Sequence, residues 1–435
     1  MRDEAPNSRE ISTTRRKALI TAAGVAGAAL IAETPAAHAD TAAAADSARS
    51  GAGPRPFVRV AKGGAGFTIG RDAFRFGGTN CYYLHQQSHY MIDAALDDIA
   101  AAGLSVVRAW AFADGSGHGY TALQTAPHTY DESAFDALDY AIYKAGVLGL
   151  RLVLPLVNNW PDYGGMAQYV DWFLGLPDDS YGDAVNHDKF YTTPAIKDCY
   201  KAYAKFVIGR RNPYTGLAYR DDPTIMTWEL ANEPRNRSDK TGAPVLAWIT
   251  EMSAYLKHLA PRQLVAVGDE GFYGDPTNYD YPYSTYEGDR WKDFIALPSI
   301  DYGTVHLYPQ GWGETPSNNG TDPVAWGTKW IQDHLADGAA AGKPVVVEEY
   351  GLSVDGTVIQ DEAARAAGYT AWTDAVLAGG GAGDQFWLLT SRVDDGSFYP
   401  DYDGYRVMWF NDASNSTNDL AKLLSAHAKA MTAAS

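Results

Sequence analysis

Eight short apolar runs recur along residues 74–389, each followed by a polar stretch and typically by an amphipathic helical pattern; this alternation constrains the fold most. The runs are Phe74–Leu84, Leu104–Phe112, Leu150–Val157, Thr224–Ala231, Gln263–Gly268, Asp301–Tyr308, Pro344–Tyr350 and Asp384–Leu389. Helical periodicity predicts helices over Met91–Ala102, Glu132–Leu148, Thr193–Ile208, Val245–Leu259, Pro323–Ala336 and Asp361–Leu377, and a last one over Ser416–Ala433. Near-continuous apolar strands alternating with amphipathic helices are what a parallel sheet covered by helices requires. Eight such units predict an α/β protein built as a single (β/α)8 TIM barrel. An open doubly wound sheet would usually carry a Gly-rich phosphate loop after its first strand, and this chain has none. Phe57–Ala73, with Gly70-Arg71-Asp72 at its turn, predicts a β-hairpin capping the bottom of the barrel.

The segment ahead of the barrel is an address rather than a structural element. Paired arginines, Arg15-Arg16, precede the small or apolar run Ala18–Ala32, and Ala37-His38-Ala39 follows as a small-x-small cleavage site. That order matches a bacterial export signal of twin-arginine type, and the run is shorter than the roughly 20 residues that span a bilayer. Residues 1–39 are therefore expected to direct export, giving an extracellular protein with no stable membrane association. Residues 40–55, mostly Ala, Ser, Gly and Pro, are expected to be a disordered lead-in, and 56–435 to be one catalytic domain. A formal charge of −18 argues against a nucleic-acid partner, which would need basic patches. Two cysteines exclude a disulfide scaffold; Cys81 and Cys199 could pair only if the fold brought them together. No Cys/His cluster has zinc-ligand spacing, and neither metal nor cofactor is expected.

Barrel chemistry sits at the C-terminal ends of the strands. Reading those ends gives Arg108 and Trp110, then Asn158-Asn159-Trp160, then Asn232-Glu233-Pro234-Arg235. The later strands add His306 and Tyr308, Glu348-Glu349-Tyr350, and Trp387. Two carboxylates thus face each other across one bowl, ringed by amides, an arginine, a histidine and aromatics. Taken singly, His306 and Arg108 suit a core contact or an ion pair as well as chemistry, and each Trp suits core packing. Falling together at several strand ends, the set suits glycoside hydrolysis: one carboxyl protonates the leaving oxygen while the other attacks or activates water. Alternation along the seventh strand predicts that Glu348 and Glu349 point to opposite faces.

Trp228-Glu229-Leu230-Ala231-Asn232-Glu233-Pro234-Arg235 and Val347-Glu348-Glu349-Tyr350-Gly351 resemble the acid/base and nucleophile motifs of glycoside hydrolase family 5. Asn158-Asn159-Trp160 with Asp162-Tyr163-Gly164-Gly165 is similar to the endo-β-1,4-mannanase branch. Further similar segments are Gly77–Leu84, Val107–Phe112 and Thr304–Pro309, so the resemblance runs from about Phe67 to the end. It implies a retaining hydrolase cutting inside β-1,4-mannan chains by double displacement. Glu233 would be the acid/base and Glu349 the nucleophile. Asn232 would bond the 2-hydroxyl, Arg108 and Tyr308 would orient the nucleophile, and His306 would sit beside the acid/base. Trp387 would floor the reacting subsite, Trp160 and Trp110 would line the cleft, and Arg235 would lie on the leaving-group side. The implied partners are β-mannan polysaccharide and manno-oligosaccharides, met by a monomer.

The strand-end residues leave alternatives open: a β-1,4-glucanase, an exo-acting β-mannosidase or mannobiohydrolase, or a carbohydrate-binding protein whose catalysis has lapsed. The acidic, Tyr-rich insert Tyr273–Trp291 is the expected place of substrate selection and could close one end of the cleft.

Overall fold

The eight apolar runs become eight parallel strands in a computed structural model that describes residues 55–64, 66–409 and 415–435. The strands are Phe76–Asn80, Val106–Arg108, Arg151–Pro155, Ile225–Glu229, Leu264–Ala266, Gly303–Leu307, Val345–Tyr350 and Gly383–Phe386. They pair in the order fifth, fourth, third, second, first, eighth, seventh, sixth, which wraps the sheet into a barrel. The remaining seam, between the fifth and sixth strands, is bridged by Asp301 N–H to Val265 C=O at 2.9 Å and His306 N–H to Glu270 C=O at 3.1 Å. Asp269 N–H adds a bond to Thr304 Oγ1 at 2.9 Å. The expected export signal and nearly all of the lead-in lie outside the described residues.

Helices cover the outside wherever the periodicity places them, over His89–Ala101, Asp136–Leu148, Pro194–Gly209, Ala243–Leu259, Pro323–Ala341, Glu362–Ala378 and Asn418–Ala433. A further helix, Gly165–Leu174, lies in the loop after the third strand, where the sequence reading left polar loop. The first strand is shorter than its apolar run. Tyr82, Tyr83 and Leu84 leave the sheet as a 3₁₀ turn over Tyr82–Gln86, in which the Tyr82 ring packs onto Trp110 and Trp387 and the Tyr83 ring onto Tyr399. At the other end of the barrel, the expected hairpin is a three-stranded antiparallel sheet of Val58–Val60, Phe67–Ile69 and Asp72–Phe74. Val58 and Phe67 from it join Phe76, Val106, Val153, Met226 and Tyr302 in one apolar cluster that plugs the barrel bottom. Cys81 and Cys199 are buried free thiols. No described helix is long and apolar enough to cross a membrane.

The insert at 273–291 is pinned to the outer helix Pro323–Ala341. Tyr273 and Tyr283 hydroxyls donate to Asp337 and Asp333 at 3.0 and 2.6 Å, and Trp326 donates to Asp280 at 3.2 Å. The final helix closes against the first strand at one glycine: a Cβ on Gly77 would lie 2.8 Å from both Cα and Cβ of Ala428. Gly77→Ala is therefore expected to lower the unfolding free energy by about 1–3 kcal/mol, read from denaturant titration. An unchanged midpoint would show that the helix can retreat without cost.

Candidate active site

Glu233 and Glu349 stand at the ends of the fourth and seventh strands, both buried, with one carboxylate oxygen of each within 4.8 Å of the other and of a His306 nitrogen. Glu233 is held in a left-handed backbone conformation, φ 52°, rare for a side-chain-bearing residue. Its N–H is fixed on Gly268 C=O at 2.8 Å. Such conformations persist where surrounding contacts over-determine them, and they concentrate at functional sites. Trp160 Nε1 donates to Glu233 Oε2 at 2.6 Å, and His306 Nδ1 contacts Glu233 Oε1 at 2.9 Å.

Glu349 receives two donors. Arg108 Nη1 reaches Oε1 at 2.5 Å, and the Tyr308 hydroxyl reaches Oε2 at 2.7 Å. Arg108 is fully buried and also donates to Glu229 at 2.9 Å, Asn232 Oδ1 at 2.8 Å and Asn80 Oδ1 at 3.3 Å. Burial opposes its charge, but Glu229, Glu348 and Glu349 together raise its pKa further. Asn232 is held at both ends, since its Nδ2 donates to Asn158 Oδ1 at 2.9 Å. His306 joins the two halves: Nδ1 lies 3.7 Å from Glu349 Oε2, and Nε2 lies 3.5 Å from Glu348 Oε2. Burial disfavours an imidazolium there, but Glu349, Glu233 and Glu348 outweigh burial and raise the pKa to about 10. Among the described residues, Glu233, His306 and Glu349 are the one group close enough to grip a cation.

The remaining expected residues fall into two places. Arg235 lies under Trp160, its guanidinium 4.8 Å from the ring centroid and 5.0 Å from that of Phe272. All three of its nitrogens are paired inside the protein: Nε and Nη2 with Glu270 at 2.6 and 2.7 Å, and Nη1 with Glu287 at 2.9 Å. Arg235, expected on the leaving-group side, thus has its donors engaged by Glu270 and Glu287 and its guanidinium face against Trp160. Burial raises the Glu270 carboxyl to about 7 against the pull of Arg235, while Arg235 and Arg237 overcome burial and hold Glu287 at about 2. Trp387 stacks flat on Tyr82, with centroids 5.1 Å apart, and its indole N–H donates to Asp403 at 2.7 Å. Trp110 packs against Tyr82, Phe112 and Tyr163 in the same aromatic group, and no described contact joins it to either carboxylate.

Glu348 overturns the expectation of opposite faces. Along the seventh strand the register jumps, so that Val347 pairs with Val305 but Glu349 pairs with His306. The extra residue is Glu348, and the bulge turns it inward beside Glu349, where both approach Arg108 and His306. Sequence reasoning also passed over Glu229, Glu270 and Glu287. Glu229 carried a signal, since a glutamate inside the apolar run Ile225–Ala231 must find a buried partner.

A model of the GH family 5 beta-mannosidase-like family matches residues 60–377. Mannan endo-1,4-beta-mannosidase 8 of Oryza sativa subsp. japonica is 38% identical over 361 residues, covering 78% of this chain and 92% of that protein. The solved endo-beta-1,4-mannanase of Thermotoga petrophila is 40% identical, with a TM-score of 0.74 over 83% of this chain and 78% of that one. The endo-1,4-beta-mannanase of Rhizomucor miehei superposes with the same TM-score at 36% identity, over 86% of this chain and 99% of that one. Matched through most of its barrel and carrying paired glutamates at the strand ends where a glycosidase needs them, the chain belongs to glycoside hydrolase family 5, among its β-mannosidase-like members.

Proposed function

We propose that the protein is a secreted, retaining endo-β-1,4-mannanase that cuts inside mannan, galactomannan and glucomannan chains. The observation that carries this reading is the approach of Glu233 and Glu349 oxygens to within 4.8 Å. That spacing fits the roughly 5–5.5 Å between carboxyls of retaining enzymes better than the roughly 6.5–9.5 Å that inversion needs to admit a water. Relatives and neighbours at 36–40% identity that are named endo-mannanases support mannan as substrate and internal bonds as the target.

In this mechanism Glu349 attacks the anomeric carbon while Glu233 gives its proton to the departing glycosidic oxygen. The C1–O bond breaks as the C1–Glu349 ester bond forms. Water then enters, Glu233 takes its proton, and hydroxide character at the water oxygen displaces Glu349 from C1. Donors on both Glu349 oxygens aim the nucleophile before substrate arrives. Trp160 and His306 hold the two Glu233 oxygens in place for proton transfer in both directions. Asn232, fixed by Arg108 and Asn158, keeps a second Nδ2 hydrogen for the sugar 2-hydroxyl, a bond that strengthens in the transition state. The Trp387 face, backed by Tyr82, offers an apolar floor for the ring at the cleavage point.

Incubated separately with unbranched β-1,4-mannan and β-1,4-glucan, the protein is expected to release short manno-oligosaccharides from the first and to leave the second intact. Mannose or mannobiose alone from the earliest times would make it exo-acting, and glucan cleavage would sink the substrate assignment. Proton NMR of the early products is expected to show β-configured reducing ends; α-configured ends would mean inversion. Glu233→Ala is expected to cost about 10²–10⁴-fold in turnover. Glu349→Ala should abolish turnover with the fold intact, and full activity in it would overturn the nucleophile assignment. Export predicts that the protein accumulates in culture medium with residues 1–39 removed, which N-terminal sequencing checks.

The His306 environment also sets a pH dependence. Its pKa rises from 6.5 to about 10 on folding, so its stabilisation is complete below about 6.5 and is lost as pH climbs toward 10. The stability gap between the wild type and His306→Gln, from denaturant titrations, is therefore expected to shrink steadily across that window. A gap that stays constant with pH would mean that the folded protein keeps a neutral imidazole.

A further inference from the structure

Two more glutamates share the buried network yet touch neither bond that is made nor bond that is broken. Glu229 on the fourth strand and Glu348 at the bulge of the seventh are both fully buried, and both carboxyl groups lie against Arg108 Nε, close enough to shift each other's titration. Two carboxylates are acceptors only, so a hydrogen bond between them would require a proton on one. The pair backs both cations that touch the reacting carboxylates. Arg108 Nε lies 2.9 Å from Glu229 Oε2 and 3.6 Å from Glu348 Oε2, and His306 Nε2 lies 3.5 Å from that same Glu348 oxygen. Beyond these contacts, neither Glu348 oxygen nor Glu229 Oε1 has a hydrogen-bond partner among the described residues.

Charge counting fixes how many protons the pair holds. With both groups ionised, Arg108 would face three buried carboxylates, Glu229, Glu348 and Glu349, and its bond to the nucleophile would be one of three competing pulls. With both neutral, the Nε2 side of His306 would have no counter-charge. One proton leaves one negative charge for each purpose. Of the other groups facing the pair, the Tyr302 phenol is raised by burial well above its ordinary value and adds no charge, while Asp269, raised by burial to about 7, adds a second negative charge beside His306 only as pH climbs through neutrality. Burial and the neighbouring Glu348 outweigh Arg108 and raise the Glu229 pKa well above the carboxylate range, which favours Glu229 as the protonated member. Arg108, Glu229 and His306 together lower the Glu348 pKa against burial, which favours Glu348 as the ionised one.

We propose that Glu229 and Glu348 are positioning residues that share one proton through the whole reaction cycle, a fixed single negative charge that keeps Arg108 aimed at Glu349 and His306 aimed at Glu233. This rests on the retaining reading above. When Glu349 becomes an ester it loses its own charge, while Glu233, having given up its proton, still faces His306 as a carboxylate. Arg108 is the cation left without the nucleophile's charge, and the pair supplies the anion that holds it in place until water arrives.

The test is a double-mutant cycle with Glu229→Gln, Glu348→Gln and the double variant. Either single glutamine leaves one glutamate to carry the charge, so each is expected to lose no more than about 10-fold in kcat. The double variant removes the charge altogether. It is expected to lose well over the product of the single effects, about 10³-fold in kcat with KM within a few-fold, and its alkaline pH limb should move down by about one unit or more. Additive single effects with an unmoved pH limb would overturn the proposal. So would a single variant that folds and loses as much as the double. Infrared spectra supply the arm that needs no turnover: a protonated-carboxyl component that the wild type retains above the ordinary carboxylate range should vanish in Glu229→Gln and remain in Glu348→Gln only at lower pH. Its absence from the folded wild type would refute the shared proton. A wild type inactive on every β-mannan would count against the functional reading instead, while the infrared result still decides on the pair.

Discussion

One buried guanidinium holds the catalytic floor of this barrel together. Arg108 leaves the second strand and binds Asn80 from the first, Glu229 and Asn232 from the fourth and Glu349 from the seventh. A buried cation is costly unless every donor finds an acceptor. That requirement works in reverse as a positioning device, because any shift of these strands would strip a partner from a charge with no access to water. The nucleophile is therefore placed by the barrel as a whole rather than by its own strand. Planarity matters too: a lysine at this position would offer a point charge and could not address four acceptors in fixed directions.

Most of the architecture is legible because burial on both faces of a parallel sheet forces apolar runs, and the eight runs and seven helices lie within a few residues of their observed spans. The departure at the first strand has an identifiable cause. Aromatic residues look the same in sequence whether they face a barrel core or another aromatic, so Tyr82–Leu84 reads as strand but turns away, with Tyr82 stacking beside Trp110 and Trp387 and Tyr83 on Tyr399. The plug at the barrel bottom reads as a hairpin because Phe74 is continuous with the first apolar run, whereas in the fold Phe74 pairs with Phe67 in the plug and the barrel strand begins at Phe76.

For the site, residue types at strand ends were legible, but their partners were not. Glu233, Glu349, His306, Tyr308, Asn232, Arg108 and Trp160 converge on one hydrogen-bonded network. Arg235 was legible as a strand-end arginine, but its pairing with Glu270 and Glu287, which arrive from the loop after the fifth strand, was not. Glu348 was hidden for a different reason. Alternation assumes an unbroken register, and a bulge that inserts a single residue reverses the facing of everything at that point.

The seam between the fifth and sixth strands gives these details a common logic. It is the place where backbone pairing within the barrel gives way to side-chain and loop contacts, and the groups that close it are the same ones that steer the acid/base. Glu270 offers its carbonyl to the His306 N–H, and its carboxylate grips Arg235, which lies under Trp160, whose indole N–H reaches Glu233. Gly268 belongs to the same seam: its carbonyl fixes the Glu233 N–H, and a Cβ there would fall 2.0 Å from the Ala231 carbonyl oxygen. A glycine with φ 84° is needed for the fifth strand to pass so close to the fourth. The unusual backbone of Glu233 is thus held by the Gly268 carbonyl, and its carboxyl is held between a histidine of the sixth strand and Trp160 from the loop after the third. A continuous ladder would have tied those backbone groups into strand pairing and left no loop from which to fix the acid/base.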